Sequence, residues 1–315
     1  MNTEHLPWQA QLRLPDGRHL AYTVYGSCSG RPVYFFHGFP GSRLQAALGH
    51  EQAIQARVCL VAFDRPGFGM SDWVEAPTVD HVIADVSNLA DHLGHRSFAA
   101  LGVSCGGPYA LAAARLMPTR VTAVGLLAGM GPMDLPALRS DQMPVLRFMF
   151  GAARSMPWAI APLLWFDKTM FRRDALRAVE MLSKALPEPD RLLLASDQEV
   201  RRRFAASLAE AYRQGIRASL AEAARIAGQG VARLRGIHCP VHVYQGNRDR
   251  HVPLAMGEYL ASHLPDGRLH VRLDEGHLSI VTRCMSECLV ELASAPPPGR
   301  QAAIQDRTPE EKEHA

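Results

Sequence analysis

The amino-acid sequence predicts an α/β protein, with a mostly parallel β-sheet and helices on both of its faces. Short apolar runs of strand length alternate with helical segments between residues 31 and 127. The same alternation resumes at residues 240–293, after a long stretch with no buried-strand run. A glycine-rich turn at residues 102–107 joins one apolar run to a strongly helical one. Strands that alternate with helices are typical of parallel sheets built from crossover units.

Length, composition and charge are those of a globular protein. The 315 residues suffice for one large α/β domain or two small ones, with a sizeable buried core. Hydrophobic residues make up 47% of the chain and charged residues 21%, both ordinary values. The net charge of +3 is too small to indicate a partner nucleic acid, and no long basic run supports one.

The order of the predicted elements follows from the apolar pattern. Two alternating runs around Asp16-Gly17 predict an antiparallel hairpin over residues 8–25. Steps of three and four between apolar positions predict an amphipathic helix that begins at Thr78 and ends at Gly94. Further strands are predicted at 31–36, 58–63, 98–101, 121–127, 241–245 and 270–273, and further helices at 43–56, from 109 onward, 254–263 and 278–293.

The middle of the chain differs from the rest and predicts a separate unit. Residues 131–230, which we call the cap segment, contain several predicted helices and carry 15 Lys or Arg against 11 Asp or Glu. We therefore expect residues 1–130 and 231–295 to form the sheet core, with the cap segment inserted between its strands. Three prolines at 296–298 end the fold, and residues 296–315 are predicted to be disordered.

A candidate nucleophile lies in the turn between the strand at 98–101 and the following helix. Gly102-Val103-Ser104-Cys105-Gly106 is a G-x-S-x-G pattern, and the strand and helix on either side of it match the context that the pattern requires. In so tight a turn, side chains two residues before and after Ser104 would collide with neighbouring elements, so glycine is needed. Ser104 then projects above the sheet edge beside a helix N-terminus, where negative charge is favoured.

A serine needs a base to take its proton and an acid to orient that base. In an open parallel sheet such groups gather at the carboxyl ends of strands. Asp249 follows the predicted strand 241–245, and His277 follows the predicted strand 270–273. Asp134, in the loop after strand 121–127, is the competing acid, and His251 is the competing base. We favour Asp249 because its loop is short, and His277 because it approaches from a separate loop.

With these residues in the order Ser, Asp, His, the sequence resembles the alpha/beta-hydrolase superfamily. Within it, the cap-bearing serine esterases and the proline-iminopeptidase-like branch are the most similar. The resemblance covers residues 18–130 and 231–292. It depends on five motifs in the family's order: His37–Ser42, Asp64–Asp72, Gly102–Gly106, Gly246–Pro253 and Glu275–His277.

The resemblance implies a catalytic triad of Ser104, His277 and Asp249. It also implies an oxyanion hole formed by the backbone N–H groups of Phe39 and Cys105, and a helical cap over the pocket. No cofactor and no metal ion are expected.

Four neighbouring side chains have structural interpretations that we prefer to catalytic ones. One position away from the serine, Cys105 does not project into the cleft, so we expect it to pack rather than to attack. His37 is expected to brace its loop rather than to act as a second base. Asp64 and Arg65 are expected to brace theirs, with contact between Arg65 and the substrate as the alternative.

We expect a serine hydrolase that cleaves a carboxylic ester through an acyl-enzyme. Amide or peptide cleavage, C–C bond hydrolysis and perhydrolase chemistry use the same constellation and are the alternatives within the enzyme class. A ligand-binding receptor on a hydrolase scaffold is the alternative from another class. Proline-iminopeptidase relatives bind the amino group of the substrate with acidic cap residues, and we expect none in this Arg-rich cap segment.

The expected partner is a small acyl substrate, apolar in part. The apolar run 156–166 either lines its pocket or packs in the core, and at 11 residues it is too short to span a bilayer. An acidic substrate or carrier protein at Arg201–Arg203 is a further hypothesis beside a simply solvated helix face. The six cysteines lack metal-binding spacing, and with no signal or membrane-spanning segment apparent, a cytoplasmic location is expected.

Overall fold

The centre of the fold is a β-sheet. A computed structural model describes residues 6–228 and 234–297 of the chain. Its eight strands, counted over those residues, lie in the order β1-β2-β4-β3-β5-β6-β7-β8. In this spatial order, every adjacent pair from β4–β3 to β7–β8 is parallel. In this described sheet the antiparallel pairs are β1–β2, which forms the predicted hairpin, and β2–β4. The strands are β1 Trp8–Arg13, β2 His19–Gly26, β3 Arg31–Phe36, β4 Val58–Phe63, β5 Phe98–Val103, β6 Val121–Leu127, β7 Val241–Gly246 and β8 Gly267–Arg272.

Helices cover both faces of this sheet, which confirms the predicted fold class. Successive residues of β3 point to opposite faces: Tyr34 packs with the helices at 79–92, 107–116 and 254–263, whereas Phe35 packs with those at 50–55 and 277–294. The inner strands β4, β5, β6 and β7 are therefore buried along their whole length. In the described part of the chain the α-helices are α1 His50–Gln55, α2 Val79–His92, α3 Gly107–Leu116, α4 Pro144–Ser155, α5 Ala161–Arg173, α6 Ala175–Ser183, α7 Glu188–Ser196, α8 Gln198–Ala211, α9 Arg217–Gly228, α10 Leu254–His263 and α11 His277–Ser294.

The bounds of two predicted elements differ from those in the structure. The helix predicted at 43–56 begins as a 3₁₀-helix, Arg43–Gly49, and only then becomes α1. The last strand, predicted at 270–273, is β8 at Gly267–Arg272. It lies at the edge of the sheet and is largely half-buried, so apolar residues do not mark its ends. The disorder predicted for the tail falls mainly on residues 298–315, outside the described part of the chain.

The described residues between β6 and β7 form helices α4 to α9, with short 3₁₀-helices at Pro136–Arg139 and Pro157–Ile160. The division into a core of 1–130 and 231–295 and a cap of 131–230 stays a proposal, since residues 229–233 are outside the described ranges. None of the helices within 6–228 and 234–297 combines the length and the apolar character needed to cross a membrane.

A buried ion pair joins the cap segment to a loop at the sheet edge. The guanidinium of Arg65, 1% exposed, donates to the carboxylate of Glu222 on α9, with Nε 2.9 Å from Oε2. Its Nη1 and Nη2 donate to the carbonyl oxygens of His37 and Gly38 at 2.6 and 3.0 Å. The ring of Tyr109 lies 4.8 Å from the guanidinium carbon. All these contacts are buried, so water cannot replace any of them.

A second buried cation lies beside the first. Arg43 Nη1 donates to the carboxylates of Asp64 at 2.6 Å and of Glu210 on α8 at 2.7 Å. The backbone N–H groups of Arg43 and Met70 also donate to Asp64. Asp64 and Arg65 therefore brace the turn after β4, as the sequence suggested. Arg65 pairs directly with an acid of the cap segment, whereas Asp64 is linked to one through Arg43.

Replacing Glu222 with alanine tests the importance of the buried pair. Glu222→Ala leaves the Arg65 charge buried without its carboxylate, so we expect the free energy of unfolding to fall by about 3–5 kcal/mol. Urea unfolding followed by circular dichroism measures the change. Glu199→Ala is the control, because the Glu199 side chain that it removes is 54% exposed and its loss should hardly move the midpoint. Equal shifts in the two variants would contradict the prediction.

Candidate active site

Ser104 occupies a strained turn between β5 and α3. Its φ of +53° lies in the left-handed region, which residues other than glycine rarely adopt. A Cβ on Gly106 would lie 2.0 Å from the carbonyl oxygen of Phe36, and one on Gly102 would lie 2.7 Å from the Cα of Gly107. Close approach of β5, α3 and β3 thus demands glycine at both positions, as the sequence predicts. The strained turn places Ser104 between the end of β5 and the start of the following helix, with its side chain projecting from the turn.

His277 and Asp249 lie together at the same edge of the sheet. The Asp249 loop follows β7, and His277 is the first residue of α11, after β8. The Nδ1 atom of His277 is 2.8 Å from Oδ2 of Asp249. Because an ionised carboxylate only accepts hydrogen bonds, Nδ1 carries the proton and Nε2 of the neutral ring is left as an acceptor.

The Asp249 carboxylate is held by further donors. Its Oδ1 accepts from the backbone N–H groups of His251 at 2.8 Å and Val252 at 2.9 Å. Its Oδ2 accepts from the side-chain amide of Gln245 at 3.1 Å, besides His277. These four bonds fill the lone-pair positions of the carboxylate. The position of the acid is therefore fixed before any ligand binds.

The competing acid and base do not form this pair. The carboxylate that contacts His277 is that of Asp249, whereas Asp134 lies in the loop after β6. The His251 ring stacks on the His277 ring, with centroids 4.7 Å apart and planes 21° apart. Burial, with the neighbouring His277, lowers the pKa of His251 to about 4, so this imidazole is neutral at physiological pH.

The same cluster offers three potential metal ligands. Within the described residues, Asp249, His251 and His277 each bring one ligand atom to within 4.8 Å of the others. The Asp249 oxygens, however, already accept four hydrogen bonds, and one of these engages Nδ1 of His277. Binding an ion there would break the pair that orients His277.

The electrostatics around His277 favour its protonated form. Burial lowers the pKa of His277, but the negative charges of Asp249 and Asp190 outweigh burial, and the net result is a raised pKa. An imidazole that accepts a proton during a reaction is stabilised by such neighbours.

A cavity of about 420 Å³ contains Ser104, His277, Phe39 and Cys105. Its wall is mostly apolar and comes largely from the cap segment. Of the apolar run at 156–166, Leu164 and Phe166 line the cavity. The run's two tryptophans, Trp158 and Trp165, are 71% and 58% exposed. The other apolar lining residues from the cap segment are Leu146, Met149, Phe150, Met170, Phe171, Ala178, Met181, Leu182, Leu186, Phe204 and Leu208.

The loop that carries Phe39 is braced by its neighbours. Gly38 N–H donates to Oε1 of Gln45 at 2.7 Å, and His37 Nδ1 donates to the Gly38 carbonyl at 2.9 Å. His37 Nε2 accepts from the backbone N–H of Arg65. Burial and the charge of Arg65 lower the pKa of His37 well below its ordinary value. His37 is thus a neutral structural residue, and the donors of Arg65 are directed at the loop.

Cys105 is buried next to the serine, and its surroundings disfavour the thiolate. Burial raises the pKa of Cys105 to about 12. The nucleophilic form of cysteine is the thiolate, which is scarce at neutral pH when the pKa is this high. The side chain is 2% exposed and belongs to an apolar cluster with Met130 and Met256, in keeping with the packing role expected from the sequence.

Two acids of the cap segment line the cavity, although none was expected from the sequence. Asp190 on α7 accepts hydrogen bonds from the backbone of α11. The Asp167 carboxylate makes no hydrogen bond or ion pair with any residue in the described ranges, and burial raises its pKa to about 6. The sequence signal that could have identified Asp167 is its position as an acid within the largely apolar stretch Leu163 to Phe171. No comparable sequence signal marks Asp190.

Proteins similar in sequence align with this chain mainly over short segments. The chain is 33% identical to the "Probable proline iminopeptidase" of Streptomyces coelicolor over 119 residues, which are 35% of this chain and 36% of that protein. It spans about a third of the length of the curated relatives that it matches first.

Solved structures match over nearly the whole fold. A hydrolase from Pseudomonas aeruginosa has a TM-score of 0.67 at 20% identity, covering 91% of this chain and 98% of that one. An esterase from Rhodococcus sp. ECU1013 has a TM-score of 0.66 at 20% identity, with 91% and 99% covered. At this identity the likeness shows the fold. Residues 31–283 match the family model described as alpha/beta hydrolase fold. The chain therefore belongs to the alpha/beta hydrolase fold family.

Proposed function

We propose that this enzyme cleaves carboxylic esters through an acyl-enzyme, with Ser104 as nucleophile, His277 as base and Asp249 as the orienting acid. The observation that supports the proposal is one arrangement: a serine on a strained turn lines the same apolar cavity as a histidine already paired with a buried carboxylate. Serine, base and orienting acid in this relation are the components of nucleophilic acyl transfer.

In the first half of the reaction, Ser104 Oγ attacks the carbonyl carbon of the ester while its proton passes to Nε2 of His277. The imidazolium that forms keeps its Nδ1–H directed at Asp249. Collapse of the tetrahedral intermediate breaks the bond to the alcohol oxygen, which takes the proton from His277. The acyl group is then covalently attached to Ser104.

The negative oxygen of the intermediate requires preorganised donors. We assign the backbone N–H groups of Phe39 and Cys105 to this role. Cys105 follows the nucleophile at the start of the helical turn, where N–H groups point toward the helix N-terminus. Phe39 follows the braced Gly38, so its position is fixed by the same contacts. In the second half, water attacks the acyl carbon while His277 takes one of its protons. The bond between the acyl carbon and Ser104 Oγ then breaks, Oγ takes the proton from His277, and the carboxylic acid leaves.

An apolar acyl group fits the cavity, because most of the wall is Leu, Met and Phe. Amide, C–C bond and perhydrolase chemistry remain alternatives on the same residues. A receptor that binds without turnover is the alternative outside catalysis. An ester panel running from p-nitrophenyl acetate to laurate separates the receptor from the ester hydrolase, because a receptor would bind without releasing nitrophenol.

Asp167 supports a second candidate substrate class. An acid without a partner in an apolar wall is costly unless a ligand compensates for it. A substrate whose acyl part carries a protonated amine would do so, and a relative named as an iminopeptidase is consistent with that chemistry. Higher kcat/KM for aminoacyl p-nitroanilides than for simple esters, lost in Asp167→Asn, would favour this class.

An acidic substrate or carrier protein at Arg201–Arg203 and a cytoplasmic location also remain proposals. The guanidiniums of Arg202 and Arg203 contact Glu199, and Arg203 also contacts Glu51. These internal partners compete with an external acidic one. Activity that falls with added salt would support the partner.

Replacing the nucleophile tests the proposed function. Ser104→Ala should abolish covalent labelling by a fluorophosphonate probe and lower kcat by several orders of magnitude, on the order of 10⁶-fold. Labelling followed by mass spectrometry, together with ester hydrolysis, measures both effects. Ser155→Ala, at the exposed end of α4, is the control and should behave like the wild type. Wild-type turnover in Ser104→Ala would refute the mechanism.

The choice between the two acids gives a second test. Asp249→Asn should lower kcat by roughly 10⁴-fold, because the ring loses the partner that fixes its tautomer, while Asp134→Asn should change it little. The reverse ranking of the two variants would assign the role to Asp134.

The pH profile gives a related test. As the pH is lowered, the wild-type kcat/KM should begin to fall at a higher pH than an ordinary histidine would give, because the raised pKa of His277 lets the base become protonated earlier. In Asp249→Asn this fall in kcat/KM on the acid side should move to lower pH, because Asp249 is one of the charges that raise the pKa of His277.

A further inference from the structure

A carboxylate from the cap segment lies at the N-terminus of the helix that carries His277. Oδ2 of Asp190 accepts from the backbone N–H of His277 at 2.9 Å. Its Oδ1 accepts from the N–H groups of Leu278 and Ser279, both at 2.9 Å. Asp190 is fully buried and lies 87 residues before His277 in the chain. Three donors of one helix end thus depend on a side chain from α7.

Gly276 provides the space for this contact. A Cβ at position 276 would lie 2.6 Å from both carboxylate oxygens of Asp190. The φ of Gly276 is −94°, which any residue adopts, so glycine is not required for backbone conformation. The close approach of Asp190 is the reason for glycine here.

Helix ends leave their first N–H groups without partners, and the preceding residue normally supplies an acceptor from its side chain. Gly276 has no side chain, and Asp190 supplies the acceptor from another element. A carboxylate at this end also interacts favourably with the helix dipole. Both oxygens are engaged with the backbone, so Asp190 is not available to bind substrate.

We propose that Asp190 is a positioning residue for His277. It fixes the backbone from which the imidazole projects, and its charge supports the imidazolium formed during the reaction. Competence of the base therefore depends on the cap segment being seated against α11. This inference rests on the proposed role of His277 as the base.

Three titratable groups lie next to His277, two of them against its ring and one against its backbone N–H. Asp249 and His251 belong to the loop after β7, and Asp190 belongs to α7. His251 stays neutral because its pKa is lowered, so the two carboxylates dominate. Removing the charge of Asp190 should therefore lower the pKa of His277, a change that loss of a merely structural contact would not produce.

The test is Asp190→Asn, which preserves volume but replaces one acceptor oxygen with a donor group. With p-nitrophenyl butyrate we expect kcat to fall roughly 10²-fold, as for a misplaced catalytic group, with little change in KM. The acid limb of kcat/KM should move to lower pH. Asp174→Asn is the matched control: Asp174 caps α6 of the same segment by accepting from Arg177 N–H and does not line the cavity.

A measurement without substrate separates this inference from the proposed function. NMR titration of the His277 imidazole should show a lower pKa in Asp190→Asn and an unchanged one in Asp174→Asn. If the wild type neither hydrolyses esters nor reacts with fluorophosphonate, the proposed function fails, and the titration still decides the role of Asp190. An unshifted His277, or equal loss of activity in both variants, would overturn the inference.

Gly276→Ala tests the same contact if Asp190→Asn does not fold. The added methyl group displaces the Asp190 carboxylate but keeps every charge. We expect kcat to fall while the acid limb moves less than in a charge-removing variant. Wild-type kcat in folded Gly276→Ala would show that the contact does not position His277.

Discussion

The buried Arg65 guanidinium is the contact on which both the sheet edge and the cap segment depend. It donates to the carbonyls of His37 and Gly38, directly before the proposed oxyanion donor Phe39, and to the carboxylate of Glu222 on α9. A charge without water is tolerated only when its donors are paired. The loop after β3 and helix α9 are therefore held by one side chain, and neither can shift without leaving that charge uncompensated.

The candidate site combines three different kinds of constraint. Ser104 is placed by backbone strain, because its turn runs between elements that leave no room for a side chain at Gly102 or Gly106. Asp249 is placed by hydrogen bonds from its own loop and strand. His277 is placed from two sides, its ring by Asp249 and its backbone by Asp190. Each group is thus oriented before substrate arrives, which lowers the reorganisation that the reaction requires.

The sequence was most informative where the constraint was local. The turn at Ser104 could be predicted because glycine spacing, an apolar strand and a helix all lie within twenty residues. The edge strand β8 was placed too far along the chain because its half-buried residues lack a clear apolar pattern. Asp190 could not be recognised, because its role arises from packing of α7 against α11, and no local pattern encodes that. Asp167 is intermediate: its apolar surroundings were visible, but the cavity was not.

The cysteines give the enzyme an unusual chemical selectivity. Five of the six are buried, and burial raises the pKa of their thiols, whereas Cys28 is exposed in the turn between β2 and β3. That turn precedes β3, and Phe39 follows its other end, so the six-residue strand separates them by about 20 Å. A maleimide dye would therefore attach at one place, remote from the cavity, and would allow binding and cap movement to be followed by fluorescence in a working enzyme.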